Sequence, residues 1–325
     1  MVYFKSGKNI HLSRKAVFEM KAFNEFKEEL NHKLKERGYN VREQKVNKIN
    51  EELHSLIITE KDSKAKTTIE PTFYYDYLYE LYEDKSIDEI ADYIIDLRNS
   101  HKGTDLAFNV KEFRYFENIK DDIYCAFANK ELNKELLKEI PYVDFCDLAI
   151  IFKVRVVDNN ACITITNNCL NEWNVTIDDL VKCVFENKHK LESNNMLLDM
   201  QEFMYKLTKA EMDIKEIDNV EIDNDFSIEP CGIYVFSNNE RLDGASMIYT
   251  HKECLKNLAT ERNCDLLILP SSRHEVLIHE ISDITDFDYM RDMVQSINQD
   301  NVSDKDFLSD NIYIYNKEND TITIY

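Results

Sequence analysis

The sequence predicts an α+β fold: mixed, largely antiparallel sheets with helices packed on them, arranged as two units. Three observations point there. Short runs rich in Val, Ile, Thr and aromatic residues recur in neighbouring pairs separated by polar turns, which is how hairpins read. Between them lie segments with apolar residues at three- and four-residue spacing, some opened by a hydroxyl residue three positions ahead of an acid. Finally, five Gly and four Pro in 325 residues leave little room for flexible linkers, so the chain can bury a sizeable core.

Taken in order, residues 1–12 show no pattern and are expected to fray. From Ser13, a stripe of Val17, Met20, Phe23, Phe26, Leu30 and Leu34 running to Gly38 predicts an amphipathic helix docked on a sheet. Segments 39–47, 53–59 and 67–73 read as a three-strand meander. The tyrosine-rich tract 73–82 follows. Its irregular spacing and interleaved acids predict a half-buried helix instead of a base-stacking platform, which would need a basic groove. Ser86-Ile87-Asp88-Glu89 opens a helix to about residue 100, and 120–138 is expected to be helical with an interruption near Asn129. A hairpin of 148–157 and 162–166 comes next, then a helix capped by Thr176-Ile177-Asp178-Asp179, with Trp173 seating the connection.

A helix carrying Met196, Leu197, Met200, Phe203, Met204 and Leu207 leads into 209–229, which loses periodicity. Residues 192–229 hold 11 Asp/Glu against 3 Lys/Arg, so this stretch is the expected acidic connector. Calcium is not expected at Asp218, Glu221, Asp223 and Asp225, because neither the central Gly nor the closing Glu of the twelve-residue loop is in place. Strand 232–237, a helix over 244–262, a second hairpin, a helix over 286–296 and strands 312–315 and 321–325 complete the chain. The expected organisation is thus 13–140, 144–208, the connector 209–229, and a C-terminal unit at 230–325.

The second hairpin, 263–282, is the most distinctive stretch. Leu266-Leu267-Ile268-Leu269 is a continuous apolar run ended by Pro270, which suits a strand covered on both faces, and Val276-Leu277-Ile278 resumes after a polar turn. Polar loops on rigid strands are where sites sit, so Ser271, Ser272, His274 and Glu275 are the candidate catalytic residues and Arg273 a candidate binding residue. Asn238 and Ser246, beside the preceding strand and helix, are further binding candidates.

Composition narrows the function classes. Residues 1–66 carry 15 Lys/Arg against 10 Asp/Glu, a net of +5, whereas the whole chain carries −22, leaving −27 for the remainder. An acidic body repels nucleic acid and anionic membrane and favours solubility or a basic protein partner; an acidic surface imitating DNA is the sharper form of that reading. Eight scattered cysteines without a C-x-x-C pair read as small hydrophobes in a reducing compartment. No segment has the length of an apolar membrane span, so a cytoplasmic location is expected. No phosphate-binding loop or dinucleotide fingerprint is present, and no cofactor is expected.

Several motifs nonetheless carry a resemblance. Tyr234-Val235-Phe236-Ser237-Asn238, Gly244-Ala245-Ser246 and Leu269-Pro270-Ser271-Ser272-x-His274-Glu275-Val276, with Asp147-Leu148-Ala149 and Ile165-Thr166-Asn167-Asn168 upstream, resemble an uncharacterised domain-of-unknown-function family of gut clostridia and their mobile elements. The likeness runs from about Phe23 to the end. It implies homology and an α+β fold without assigning chemistry, and its mobile-element setting is compatible with an inhibitor of host defence.

His274 and His279 are five apart, which in a strand places them on opposite faces, so no metal is expected. Ser271 or Ser272 with His274 and Glu275 would make a hydrolase, but near neighbours in sequence rarely satisfy nucleophile–base geometry, and no nucleophile elbow is present. The expectation is a non-enzymatic binding or regulatory module, with a small-substrate hydrolase at this turn and an acidic inhibitor of a DNA-binding protein as alternatives.

Overall fold

A computed structural model describes residues 14–61, 71–100, 113–156, 161–193, 196–210, 217, 219–222 and 231–325. The fold is α+β with antiparallel sheets, as predicted. The chain groups into two compact units, one of residues 1–48 and 52–105, the other of 49–51 and 106–325.

In the first unit, helix Arg14–Glu36 ends at Gly38, whose φ of +92° is open to glycine without strain. Phe26, Leu30 and Leu34, four apart, form one stripe and are fully buried. They pack with Leu56 and Ile58 of β2 (Glu51–Glu60), Tyr75 and Leu78 of helix Tyr75–Leu81, and Ile90 and Ile94 of helix Ile87–Ser100. β1 (Tyr39–Lys48) pairs with β2, and β2 with β3 (Phe73–Tyr74). The expected third strand is therefore two residues long where it is described, and 62–70 lie outside the described residues. The tyrosine tract does form a helix, and the buried Tyr75 hydroxyl donates to Asn31 Oδ1 at 2.5 Å. The Ser86 and Glu89 side chains close the expected capping box.

The second unit corrects one expectation outright. Residues 123–129 are not helical: Ile123–Asn129 is strand β4, buried along its whole length. The run Ile-Tyr-Cys-Ala-Phe-Ala is apolar on both faces, and periodicity cannot separate a covered strand from a buried helix in so short a segment. β4 pairs along its length with β6 (Leu148–Val156). The other edge of β6 is shared by β5 (Tyr142–Phe145), which the sequence reading overlooked, and β7 (Ala161–Thr164). Thr176 caps helix Ile177–Asn187 through the expected box. Trp173 packs on Phe113 and Phe116 and donates Nε1–H to Phe113 O at 2.9 Å, a packing role.

A second sheet of six antiparallel strands holds β8 (Leu197–Asp199), β9 (Ile233–Phe236), β10 (Leu266–Leu269), β11 (Val276–Glu280), β12 (Tyr313–Asn316) and β13 (Thr321–Ile324). Its order is β13-β12-β10-β11-β9-β8. The hairpin at its centre is the one expected, with Ile268 opposite Ile278. Leu197, expected in a helix, instead begins a strand, and the helix starts at Met200. Helix Phe287–Asn301 covers the face bearing Leu267, Leu269 and Ile312.

The opposite face shares one core with the first sheet. Phe127, Ile150 and Phe152 lie in the same buried cluster as Tyr234, Leu266, Ile278 and Tyr313, with Leu180, Met247 and Leu255 from the helices. Residues expected to form separate units at 144–208 and 230–325 are thus bound into one core, and the division falls near residue 105 instead of at 209–229. Of that connector, Ile217 is fully buried against Leu198 and Ala210.

Candidate functional site

Strand alternation sets up the site. On β6, Leu148, Ile150, Phe152 and Val154 face the main core, so Ala149, Ile151 and Lys153 face the other way. Lys153 is directly opposite Tyr124 of β4, and both are nearly inaccessible, at 3% and 8% exposure. A buried ammonium needs a counter-charge. Asp243 supplies it: Oδ2 lies 2.7 Å from Lys153 Nζ and 3.4 Å from the Tyr124 hydroxyl, which donates to it.

Asp243 is delivered by the loop after β9. Asn238, 2% exposed, templates that loop by accepting from Glu240 N and Leu242 N through Oδ1 while Nδ2 donates to Leu242 O at 2.7 Å. Arg241 and Asp243 both adopt left-handed backbone, with φ of 52° and 55°. At Gly244 a Cβ would meet Ser237 Oγ at 2.1 Å, His274 O at 2.5 Å and Asn238 N at 2.8 Å, so only glycine fits. Ser246 then ties the loop down, its hydroxyl lying 2.9 Å from Asp243 O and 3.0 Å from Cys125 O.

The turn between β10 and β11 closes over Asp243. Arg273 Nε lies 3.2 Å from Asp243 Oδ1 without hydrogen-bond alignment, so charge attraction joins them, and 3.6 Å from Asp306 Oδ1. His274 Nδ1 accepts the Asp243 amide at 3.3 Å, which leaves the ring proton on Nε2 to donate to Asp306 Oδ1 at 3.0 Å. The Arg273 amide donates to Asp306 O, and Arg273 O accepts from Ala245 N. Burial alone would push the Asp243 carboxyl up, but the Lys153 and Arg273 charges and the Lys153 hydrogen bond together hold it below the ordinary carboxylate range. Burial and the adjacent Asp243 raise the Tyr124 phenol well above its usual value.

The predicted residues separate accordingly. Asn238, Ser246, Arg273, His274 and Ser272 meet at this clasp, and Ser272 Oγ accepts the His274 amide at 3.1 Å. Ser271 contributes its carbonyl to Leu308 N, and Glu275 is half-buried with no hydrogen bond or ion pair among the described residues. No nucleophile–base contact links Ser271 or Ser272 to the His274 ring, whose two nitrogens are both engaged. Sequence reasoning missed Lys153, Asp243, Tyr124 and Asp306. A lysine inside the apolar run 148–157 was the available signal, since such a charge is almost never buried unpaired.

Two neighbouring features complete the picture. A cavity of about 30 Å³ beside Tyr124, Arg155, Lys188 and Thr250 has room for water and not for a metabolite. His251, 1% exposed, interrupts the helical segments Met247–Thr250 and Lys252–Arg262; its ring lies 2.9 Å from Thr250 Oγ1 and 3.2 Å from Glu192 Oε1, and burial lowers its pKa. Among the described residues no group of three or more His, Cys, Asp or Glu is placed to hold a metal, and no helix is long and apolar enough to cross a membrane.

The chain belongs to a family described as Family of unknown function (DUF5688), whose model matches residues 21–317. No curated protein and no solved structure matches it.

Proposed function

We propose that the chain is a non-enzymatic binding or regulatory module that engages a basic protein partner through its acidic surface. One observation carries the non-enzymatic part: His274, the best base candidate in the sequence, has Nδ1 committed to a backbone amide and Nε2 to Asp306. A general base must reach the proton it abstracts, and this ring is instead a rivet between two loops. Ser272 likewise gives its lone pair to the turn's own backbone, as turn serines commonly do. The partner part rests on the net charge of −22, which favours association with cationic surfaces and makes it salt-sensitive.

The test uses the full chain immobilised against host lysate, native and as His274→Ala/Glu275→Ala, at about 0.05 M and about 0.2 M salt. Retention of the same basic protein by both forms, lost at the higher salt, is expected. Turnover of an ester, amide or phosphoester panel that disappears in both Ser272→Ala and His274→Ala overturns the reading in favour of a hydrolase.

A further inference from the structure

We propose that β13 is a pairing edge for a second copy of this chain, joining two six-stranded sheets into one. This goes beyond the binding function above and does not depend on it. β13 is the terminal strand of its sheet, and Tyr325 extends its ladder by donating to Ile312 O at 3.0 Å. That bond fixes the parity: residues 321, 323 and 325 bond inward to β12, and Ile322 and Ile324 turn their N–H and C=O groups outward. Among the described residues the only partner of those outward groups is Cys146 Sγ, 4.0 Å from Ile322 O, a weak donor that an incoming peptide N–H has to displace.

Exposed strand edges are normally guarded by charge, proline, a bulge or shortness. β8, at the other end of this sheet, is three residues long, and β1, an edge of the other unit's sheet, carries Arg42, Glu43, Lys45 and Lys48. Thr-Ile-Thr-Ile-Tyr has no charged side chain, no proline and no bulge, and is longer than β8. Ile324 and Tyr325 are 43% and 44% exposed, and Tyr325 is held in place by stacking on Phe287 at 4.9 Å and by Arg291 over its ring. The edge is therefore preformed and apolar.

The occupant follows from the pattern. The strand's own side chains carry no charge, and the adjoining Asp320 is already engaged by Tyr315 and Lys252, so a lysine-rich foreign strand would find no free carboxylate partner along it. It does complement itself: antiparallel pairing centred on Thr323 sets Ile322 against Ile324 of the second copy, which exchange both open hydrogen bonds, and Thr323 against its own equivalent on the two-fold axis. Thr–Thr and aliphatic pairs are favourable cross-strand neighbours. Because each copy carries −22, their mutual repulsion is screened by salt, so this association strengthens as salt rises. A basic partner responds in the opposite sense, which keeps the two readings separable.

Sedimentation of the full chain over about a hundredfold range of concentration, at low and moderate salt, reads the mass directly. Native protein is expected to double its mass, more completely at the higher salt. Ile324→Pro, which removes only an outward N–H, and Ile324→Lys, which adds a charge, are expected to remain monomers with an unchanged circular dichroism spectrum. With the exposed Cys162 and Cys231 replaced by Ser, Thr323→Cys, brought against its own copy, is expected to give a disulfide-linked dimer under mild oxidation that the same background with Thr323 does not give. A native monomer throughout together with no cross-link overturns the proposal, as does a dimer that persists in both Ile324 variants. A monomer that captures a synthetic lysine-rich strand, with loss in Ile324→Pro, overturns it in favour of a foreign occupant.

Discussion

Two regions of the second unit handle polar groups in opposite ways. At the clasp, Lys153, Asp243, Arg273 and Asp306 bring four formal charges together, and the fold pairs each with an opposite charge within 4 Å. At β13, four backbone groups of two isoleucines are left outward with one thiol as their partner among the described residues. Charge at the clasp fixes loops, and the edge left open at β13 has neutral side chains. Stability and association should therefore be separable by mutation: clasp variants change the melt and not the mass, edge variants the reverse.

The largest expected effect tests the first half of that contrast. Lys153→Met keeps the side-chain volume and leaves Asp243 buried without its closest cation, a change that costs about 3–5 kcal/mol in comparable buried pairs. A denaturant melt should show it, and adding Asp243→Asn should recover part of the loss, since the stranded charge is then gone. If Lys153→Met melts like the native protein, the pair is not the anchor of the loop. Leu267→Ala comes next, because Leu267 is fully buried between β10 and helix Phe287–Asn301: about 2–5 kcal/mol is expected. A loss under about 1 kcal/mol in the same melt would contradict its place in the core.

How much of this was legible in the sequence depends on the range of the interaction. Local signals read true: the Thr176 and Ser86 capping boxes, the Gly38 stop and the hairpin around Pro270 depend on residues within a few positions of one another. β4 did not, because seven successive buried residues carry no period to read. The clasp was half legible. Motif residues Asn238, Ser246, Arg273 and His274 were singled out, yet the group they surround is Asp243, and its cation sits 90 residues earlier on another sheet. Lys153 announces a buried charge; only the fold says where its partner is. The boundary near residue 105 was hidden for a similar reason, since a shared core joins strands that composition alone would separate at the acidic stretch.

A smaller effect probes a local signal on its own. Thr176→Ala removes the hydroxyl that accepts the Asp179 amide and the partner of its carboxylate, and should lower stability by about 1 kcal/mol without altering mass or the spectrum of the folded state. A shift in sedimentation with this variant would break the separation of stability from association.

The smallest effect is a pH dependence. His251 is buried beside Thr250 and Glu192, with Lys188 and Glu253 as charged neighbours, and burial makes its folded-state pKa lower than the ordinary value. A base with a depressed folded pKa is held neutral by the fold, so its stabilising contribution is complete above the unfolded pKa, about 6.5, and is lost as pH falls below it. Protonation there pits the buried imidazolium's desolvation and Lys188 against the attraction of Glu192 and Glu253, and the direction of the shift says desolvation and Lys188 prevail. Native protein melted at pH 7.5 and again at about 5.5 should therefore lose more stability than His251→Gln, which cannot take up the proton. Equal losses in the two would assign the acid sensitivity to the carboxylates instead, with Asp243, held below its usual pKa by Lys153 and Arg273, the first to examine at still lower pH.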